Sequence, residues 1–183
     1  KALVYELQES LRIAKEKTAS FNAREKLLGL DITDYYDLDG MIDDYTPYFG
    51  IWDSVIEFQE KTAGWHTAPM TSINPDHVEN LVDFTFKHSL KMIKQFDTEH
   101  TRLPQKVAKD LRNAVDQFKT KQPFLRAFSS AAILPRHWEQ LFDRMKIAAV
   151  GTPETTTMQQ MLDNSILDFT EDYEELSAGA NKE

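Results

Sequence analysis

The sequence predicts an all-α protein, an elongated bundle of about six to seven helices, and three observations favour this fold class. Apolar residues recur at helical spacing through most of the 183 residues, and no β-branched run alternates long enough to indicate a strand. With only 6 glycines and 7 prolines, turns should be few and helices long. A hydrophobic content of 41% and an aromatic content of 11% provide enough apolar surface for a core.

The first two predicted helices are long and are joined by a polar linker at Asp31–Asp37. The first covers about 2–28, with Gly29 as a left-handed stop. The apolar positions on one of its faces are Leu3, Leu7, Leu11, Ala14 and Phe21. The second covers about 38–65 and contains Pro47, where a kink or a break is expected because proline lacks the N–H donor. Its apolar positions are Ile42, Tyr45, Tyr48, Trp52, Ile56 and Trp65.

The third and fourth predicted helices each have a clear start. Asn74 is a capping residue and Pro75 suits the first position of the third helix. Its apolar stripe consists of Val78, Leu81, Val82, Phe86, Leu90, Ile93 and Phe96. The fourth helix starts near Pro104 and is disturbed at its far end by Pro123. Its predicted buried positions are Val107, Leu111, Val115 and Phe118.

The fifth predicted helix is the stretch LPRHWEQLFDRM at 134–145, with Pro135 at its first position. Trp138, Leu141, Phe142 and Met145 have the spacing of one buried stripe. We therefore expect Trp138 to point inward and to pack on the preceding helix, with Arg136 and Glu139 further round the helix. The last helical zone covers about 155–180, with an interruption at Asn164 and Ser165. Its inward positions are Met158, Met161, Leu162, Phe169, Tyr173 and Leu176.

Charge and composition exclude several classes of partner. A formal net charge of −9 makes nucleic acid a poor partner, because phosphate binding requires a clustered basic face. No apolar run approaches the length of a membrane span, so we expect no membrane association. The absence of cysteine excludes disulfides and thiolate metal sites. The chain begins on Lys1 inside a predicted helix, and we expect it to be part of a larger chain.

The sequence around His137 contains the residue types of an active site, but their spacing does not suit catalysis. Adjacent helix residues point about 100° apart, so Arg136, His137 and Glu139 cannot converge on one substrate. A histidine that bonds backbone at a helix start, or packs across a junction, is the favoured interpretation. Two His-x-Glu pairs lack the Cys-x-x-Cys partner of zinc deaminases, and no phosphate-binding loop is present. We expect no catalytic, metal-binding or cofactor-binding residue in this chain.

Four short motifs in order resemble the dynein heavy chain family. Phe21, Asn22, Arg24, Glu25 and Gly29 are similar to the family's F-N-x-R-E-x-L-x-G. The stretch 47–52 resembles the family's P-Y-x-x-L-W and ends at Trp52, with isoleucine in place of the leucine. The stretch that begins at Trp65 resembles the family's W-x-x-x-P. The most specific motif is R-H-W-E-x-L, which matches at Arg136, His137, Trp138, Glu139 and Leu141. The resemblance runs from about residue 20 to the closing Ala180–Glu183.

This resemblance implies the beginning of the dynein linker, with residues 1–30 as an N-terminal long helix and 31–183 as a linker helical bundle. It implies an axonemal heavy chain in the cytoplasm, in the cytoskeleton of the cilium, with ATP and magnesium bound in the AAA+ ring of the parent chain. The implied partners are that ring, the dynein tail with its associated chains and, indirectly, the microtubule. The expected junctions are Pro47, Pro69–Pro75, Pro123–Pro135 and Gly151–Pro153.

Two other functions stay open from the sequence alone. A helical bundle of this kind could hold partner proteins without coupling to a motor, and Trp52 or Trp65 could then anchor the partner. Aromatic residues at helical spacing are more often core, so the sequence favours burial of both tryptophans. The third possibility is a metal-dependent or hydrolytic enzyme, which the spacing of the polar residues disfavours.

Overall fold

The all-α prediction is confirmed by a computed structural model, which describes residues 2–130, 132–146, 151–152 and 154–182. These residues form eight α-helices and no strand, and a single isolated antiparallel bridge joins Pro69 and Thr157. The helices are α1 (Ala2–Leu27), α2 (Tyr36–Thr67), α3 (Pro75–Gln95), α4 (Arg102–Lys119), α5 (Gln122–Phe128), α6 (Pro135–Met145), α7 (Met158–Asp163) and α8 (Thr170–Ala180). Short 3₁₀ turns cover Met70–Ser72, Glu99–Thr101 and Ile166–Phe169.

Helix α1 ends as predicted, but its apolar face is not buried. Gly29 adopts φ of 69°, and the Leu30 N–H donates to the Glu25 carbonyl at 2.9 Å, which closes the helix end. No residue of α1 is buried, and Leu3 and Phe21 of the predicted face are 79% and 47% exposed. Leu11 and Ala14 of the same face are partly buried, and α1 packs on α2. The predicted face therefore makes the contact only in part.

Tyrosine hydroxyl groups attach α1 to α2. Tyr5 donates to the Asp53 carboxylate at 2.6 Å, and its ring meets the edge of Phe49 at 5.8 Å. The Asp53 hydrogen bond is the main cause that raises the pKa of Tyr5 to about 12. Tyr45 donates from α2 to the Val4 carbonyl at 2.7 Å. The α1–α2 contact is therefore largely polar and aromatic.

A kink or a break is expected at Pro47, and the break does not occur, because α2 continues as one helix through this residue. Proline inside a helix costs about 3 kcal/mol, and packing of α2 against α1 on one side and α3 on another offsets this cost. The buried residues of α2 are Ile51, Ser54 and Phe58. Trp52, which the apolar pattern placed in the core, is 44% exposed, so that prediction is wrong. The buried face of α2 is rotated about the helix axis from the predicted face by roughly the angle between two successive residues.

Helices α3 and α4 pack closely against each other and against α2. The Asn74 side chain accepts hydrogen bonds from the N–H groups of Asp76 and His77 at 3.0 and 3.1 Å, which confirms the predicted cap. Two small polar residues of α3, Thr85 and Ser89, are buried. Their hydroxyls donate to backbone carbonyls of α3 itself. The buried residues of α4 are Ala108, Leu111, Val115 and Phe118.

The last helical zone is divided as expected. Ser165 has φ of 57°, and this left-handed residue ends α7 and begins the turn into α8. The predicted inward residues Met158, Met161, Tyr173 and Leu176 are buried. This division and the short α5 after Lys121 account for eight helices instead of six to seven. No α-helix in the described ranges is long and apolar enough to cross a membrane.

Parts of three predictions fall on residues outside the described ranges. The junction Gly151–Pro153 includes Pro153, the junction Pro123–Pro135 includes Ala131, and the closing motif Ala180–Glu183 includes Glu183. The junction Pro69–Pro75 lies between α2 and α3, in agreement with its prediction.

Candidate functional site

The R-H-W-E-x-L motif begins α6 with an unusual cap. Leu134 has extended backbone angles and Pro135 follows as the first helical residue. The Leu134 N–H donates to Nδ1 of His137 at 3.1 Å, so the imidazole satisfies a backbone donor at the helix start. This bond requires Nδ1 of His137 to be unprotonated. His137 is buried, and its predicted role in bonding backbone is confirmed.

Trp138 lies in a cluster of aromatic rings from three helices. Its ring is 5.2 Å from Phe128 of α5 in a T-shaped arrangement and 5.8 Å from Phe142 of α6. Tyr173 of α8 contacts Phe128 at 5.8 Å and Phe124 at 6.1 Å. These five residues form the aromatic core, and each is at most 2% exposed. The predicted packing of Trp138 on the preceding helix is confirmed by its contact with Phe128. Ring pairs of this kind add stability beyond area burial.

The other residues of this motif differ in burial according to the side of α6 on which they lie. Leu141 is completely buried beside the aromatic core, whereas Arg136 and Glu139 are exposed. The indole Nε1 of Trp138 is buried and has no hydrogen-bond partner in the part of the chain that the structure describes. An unsatisfied buried donor costs about 1–3 kcal/mol, so apolar and ring contacts must hold Trp138 in place. The motif is thus built for packing and capping.

The F-N-x-R-E-x-L-x-G motif builds the turn between α1 and α2. The Glu25 carboxylate accepts from the backbone N–H of Thr33 at 2.8 Å and from the Thr33 hydroxyl at 2.7 Å. The backbone bond is the larger cause of a lowered pKa of Glu25. Asn22 faces the same turn with a buried Oδ1 that has no partner among the described residues. Phe21 and Arg24 are exposed, so only part of the motif serves the turn.

The hydrogen bonds of Glu25 predict a pH-sensitive turn. Because the pKa of Glu25 is lowered in the folded chain, its stabilising contribution is complete above the ordinary glutamate pKa and is lost as the pH falls below it. We expect the Thr33 amide hydrogen to lose protection from exchange in this acid range, measured by NMR. Glu25→Gln should remove the pH dependence. Unchanged protection of Thr33 at acid pH would contradict the assignment.

The stretch that begins at Trp65 joins α2 to the region before α7. Trp65 is half-buried against Phe118 at 5.4 Å, so its predicted place in the core is partly met. Nδ1 of His66 lies 2.8 Å from Oε1 of Gln159, and Lys121 Nζ lies 3.3 Å from Nε2 of His66. Desolvation lowers the pKa of Lys121 at this position. The histidine therefore connects α2 with α7 and with the turn between α4 and α5.

An open groove of about 830 Å³ lies between α3, α5 and α8. No residue of the four motifs lines it, and only Asn181 of the closing stretch Ala180–Glu183 does. In this groove Arg126 donates to the carboxylates of Asp76 and Glu79, so the guanidinium and both carboxylates have charged partners. The described ranges contain no group of three or more histidine and acidic side chains arranged to hold a metal ion. The motif residues instead lie in three places, at the end of α1, along α2 and in α6.

These features define an α-helical framework segment, in which the motif residues build turns, junctions and a buried aromatic core. The chain belongs to the dynein heavy chain family. The family described as dynein heavy chain, N-terminal region 2, matches residues 38–183. The resemblance drawn from the motifs is therefore confirmed.

Axonemal dynein heavy chains are similar to this chain over nearly its whole length. Dynein axonemal heavy chain 1 of Rattus norvegicus is 27% identical over 180 residues, which is 98% of this chain. Dynein axonemal heavy chain 3 of Homo sapiens is 26% identical over 178 residues, or 97% of this chain. Dynein axonemal heavy chain 12 of Rattus norvegicus is 24% identical over an alignment of 185 positions, which covers 98% of this chain. The chain spans only 4% of the length of the first two relatives and 6% of the third.

Sequence reasoning missed the partners of the motif residues. It did not find Thr33 as the partner of Glu25, nor Phe128 and Tyr173 as the partners of Trp138. One signal was present, because Phe124 and Phe128 are four residues apart and so share a helix face. The aromatic contacts between helices carry no comparable local signal.

Proposed function

We propose that this chain is the first part of the mechanical linker of a dynein motor heavy chain. In this role it relays ATP-driven changes of the AAA+ ring to the tail during microtubule-based movement. The observation that carries the proposal is the family match over residues 38–183, in an N-terminal region of the heavy chain. The segment itself performs no chemistry in this proposal.

The helix arrangement supports a role in transmitting force. Helix α2 has 32 residues without interruption, which corresponds to a length of about 48 Å. Other helices pack on more than one side of it, so bending α2 requires the loss of contacts along its length. The aromatic core joins α5, α6 and α8 at the other end of the sequence. Long supported helices connected by short turns are suited to hinge and lever motions.

The proposal assigns nucleotide chemistry to other parts of the heavy chain. This sequence has no Gly-x-x-x-x-Gly-Lys-Ser/Thr loop, so ATP and magnesium would be bound in the ring. The direct partners are the ring of the same chain and the tail with its associated chains, and the microtubule is an indirect partner. The names of the relatives favour the axoneme of a cilium, within the cytoplasmic cytoskeleton.

A proline placed in α2 tests the proposal in the complete heavy chain. Glu57 is an exposed residue in the interior of α2. Glu57→Pro removes a backbone hydrogen bond of the helix and should destabilise it by about 3 kcal/mol without removing a core side chain. We expect microtubule gliding to slow severalfold while ATP hydrolysis by the ring continues, because the lever loses its stiffness. The measurements are gliding velocity and ATP turnover on the same preparation.

Two variants at the same position serve as controls. Glu57→Ala keeps the helix and should leave gliding unchanged, and Glu57→Gly, which costs about 1 kcal/mol, should give an intermediate velocity with the fold retained. Unchanged gliding in Glu57→Pro would favour a bundle that only binds partner proteins. An equal loss of ATP turnover and gliding would place α2 in the catalytic machinery. Either outcome would overturn the proposal.

A further inference from the structure

The outward face of α3 has a group of exposed side chains that no described element covers. Phe84, Lys87, Lys91 and Lys94 follow one another at intervals of three or four residues, so they share one face of the helix. We call these four residues the α3 strip. Phe84 is 58% exposed, and the three lysines are also exposed. This face thus places one large apolar side chain beside three cations.

The charge of this region differs from that of the rest of the chain. Residues 75–119 contain eight lysine and arginine residues against seven aspartate and glutamate residues, a net charge of +1. Because the whole chain has a formal charge of −9, the remaining residues carry −10. The α3 strip is thus a basic surface on an acidic protein, where it can attract a partner of opposite charge.

The three lysines of the α3 strip have no carboxylate partner among the described residues. Some other cations of the chain, but not all of them, do have such partners. Lys119 lies 3.5 Å from Asp83 and over the Phe86 ring at 3.9 Å, and Lys15 pairs with Asp39. The ammonium groups of the strip are therefore available to carboxylates of another molecule.

Phe84 is held in place by a neighbouring side chain. Its ring stacks on the imidazole of His88 at 5.8 Å, with an angle of 23° between the planes. The Nδ1 atom of His88 lies 2.7 Å from the hydroxyl of buried Ser54, which fixes the imidazole against α2. A ring held in advance loses little conformational freedom on binding, and such aromatic residues often anchor interfaces.

We propose that the α3 strip binds an acidic segment of a partner protein that carries an apolar side chain next to its carboxylates. The lysines pair with the carboxylates, and the apolar side chain packs on Phe84. The strip is about 15 Å long, and Asp83 and Asp97 lie near its two ends. A short acidic segment fits between these carboxylates, whereas a continuous nucleic acid strand would run onto them. This proposal is independent of the mechanical function.

A labelled synthetic peptide, with glutamates around one leucine, is the probe for this surface. We expect the wild-type chain to bind it at low ionic strength, measured by fluorescence anisotropy, and to release it as salt is added. Replacing all three lysines of the α3 strip by glutamine should weaken binding about tenfold, since each exposed ion pair contributes about 0.2–1 kcal/mol. Phe84→Ala should weaken binding of this peptide and not of a leucine-free peptide.

A matched triple variant separates the α3 strip from the effect of net charge. Lys17→Gln, Lys26→Gln and Lys61→Gln remove the same charge from exposed positions on α1 and α2, and should change binding little. Equal weakening by the two triple variants, or no binding of the peptide by the wild type, would overturn the proposal. Binding of single-stranded RNA through the same lysines with equal strength would also overturn it.

Discussion

Trp138→Ala should lower the free energy of unfolding by about 3–5 kcal/mol, as substitutions of large core residues by alanine do. Trp138 is 2% exposed and contacts Phe128 and Phe142, so alanine leaves a cavity between α5 and α6. The measurement is urea unfolding followed by circular dichroism. We expect the urea concentration at the midpoint of unfolding to fall. The slope of the free energy of unfolding against urea should stay nearly unchanged, because the native fold is retained.

The control for this prediction is the same substitution at a tryptophan on the surface. Trp52 is 44% exposed, and Trp52→Ala should cost less than about 1 kcal/mol. Trp138→Phe provides a second comparison, since it keeps an aromatic ring and removes the buried indole N–H that has no partner in the described ranges. Its cost should be smaller than that of alanine. Equal losses for Trp138→Ala and Trp52→Ala would show that the aromatic core is wrongly placed.

Ile51→Ala should lower the free energy of unfolding by about 2–5 kcal/mol, the second large effect that the structure predicts. Ile51 is completely buried on the face of α2 that packs toward α3 and α4. Denaturant unfolding of the purified chain measures this loss. The result decides which face of α2 is in the core, because the sequence pattern favoured Trp52 and the structure buries Ile51.

Met41→Ala is the matched control for Ile51→Ala. Met41 is in the same helix and is 55% exposed, so its replacement should change stability by less than about 0.5 kcal/mol. If Met41→Ala were as costly as Ile51→Ala, the buried face of α2 would differ from the one described.

The helix α6 and the start of α3 could be predicted from sequence because all local signals agree there. Pro135 marks the first residue of α6, and the four apolar positions that follow at helical spacing are all buried. Asn74 before Pro75 is a cap signal of the same kind, and the side chain makes the expected hydrogen bonds. When cap and periodicity indicate the same helix, tertiary contacts have little to override.

The buried face of α2 could not be predicted because this helix has neighbours on several sides. Tyr48 and Trp52 are spaced like core residues, yet they are 38% and 44% exposed. Ser54 occupies a core position because Nδ1 of His88 gives its hydroxyl a partner at 2.7 Å. A hydroxyl that is satisfied by a residue 34 positions away leaves no signal in the local pattern.

For the candidate site, the sequence identified the motif residues and the structure supplied their partners. The inward direction of Trp138 followed from helical spacing, and the capping role of His137 followed from its place at a helix start. The contact of Trp138 with Phe128 depends on how α5 and α6 meet, which periodicity does not determine. The exposure of Phe21 could not be predicted either, because an apolar stripe on a helix does not reveal whether another element covers it.

The absence of buried side chains in α1 has a thermodynamic consequence. Releasing this helix exposes little additional apolar surface, whereas opening the helices around Trp138 exposes the centre of the core. The free energy of local opening is therefore much smaller for α1 than for the remainder of the molecule. We therefore expect α1 to open as a separate cooperative unit, detaching and reattaching while the other helices stay folded.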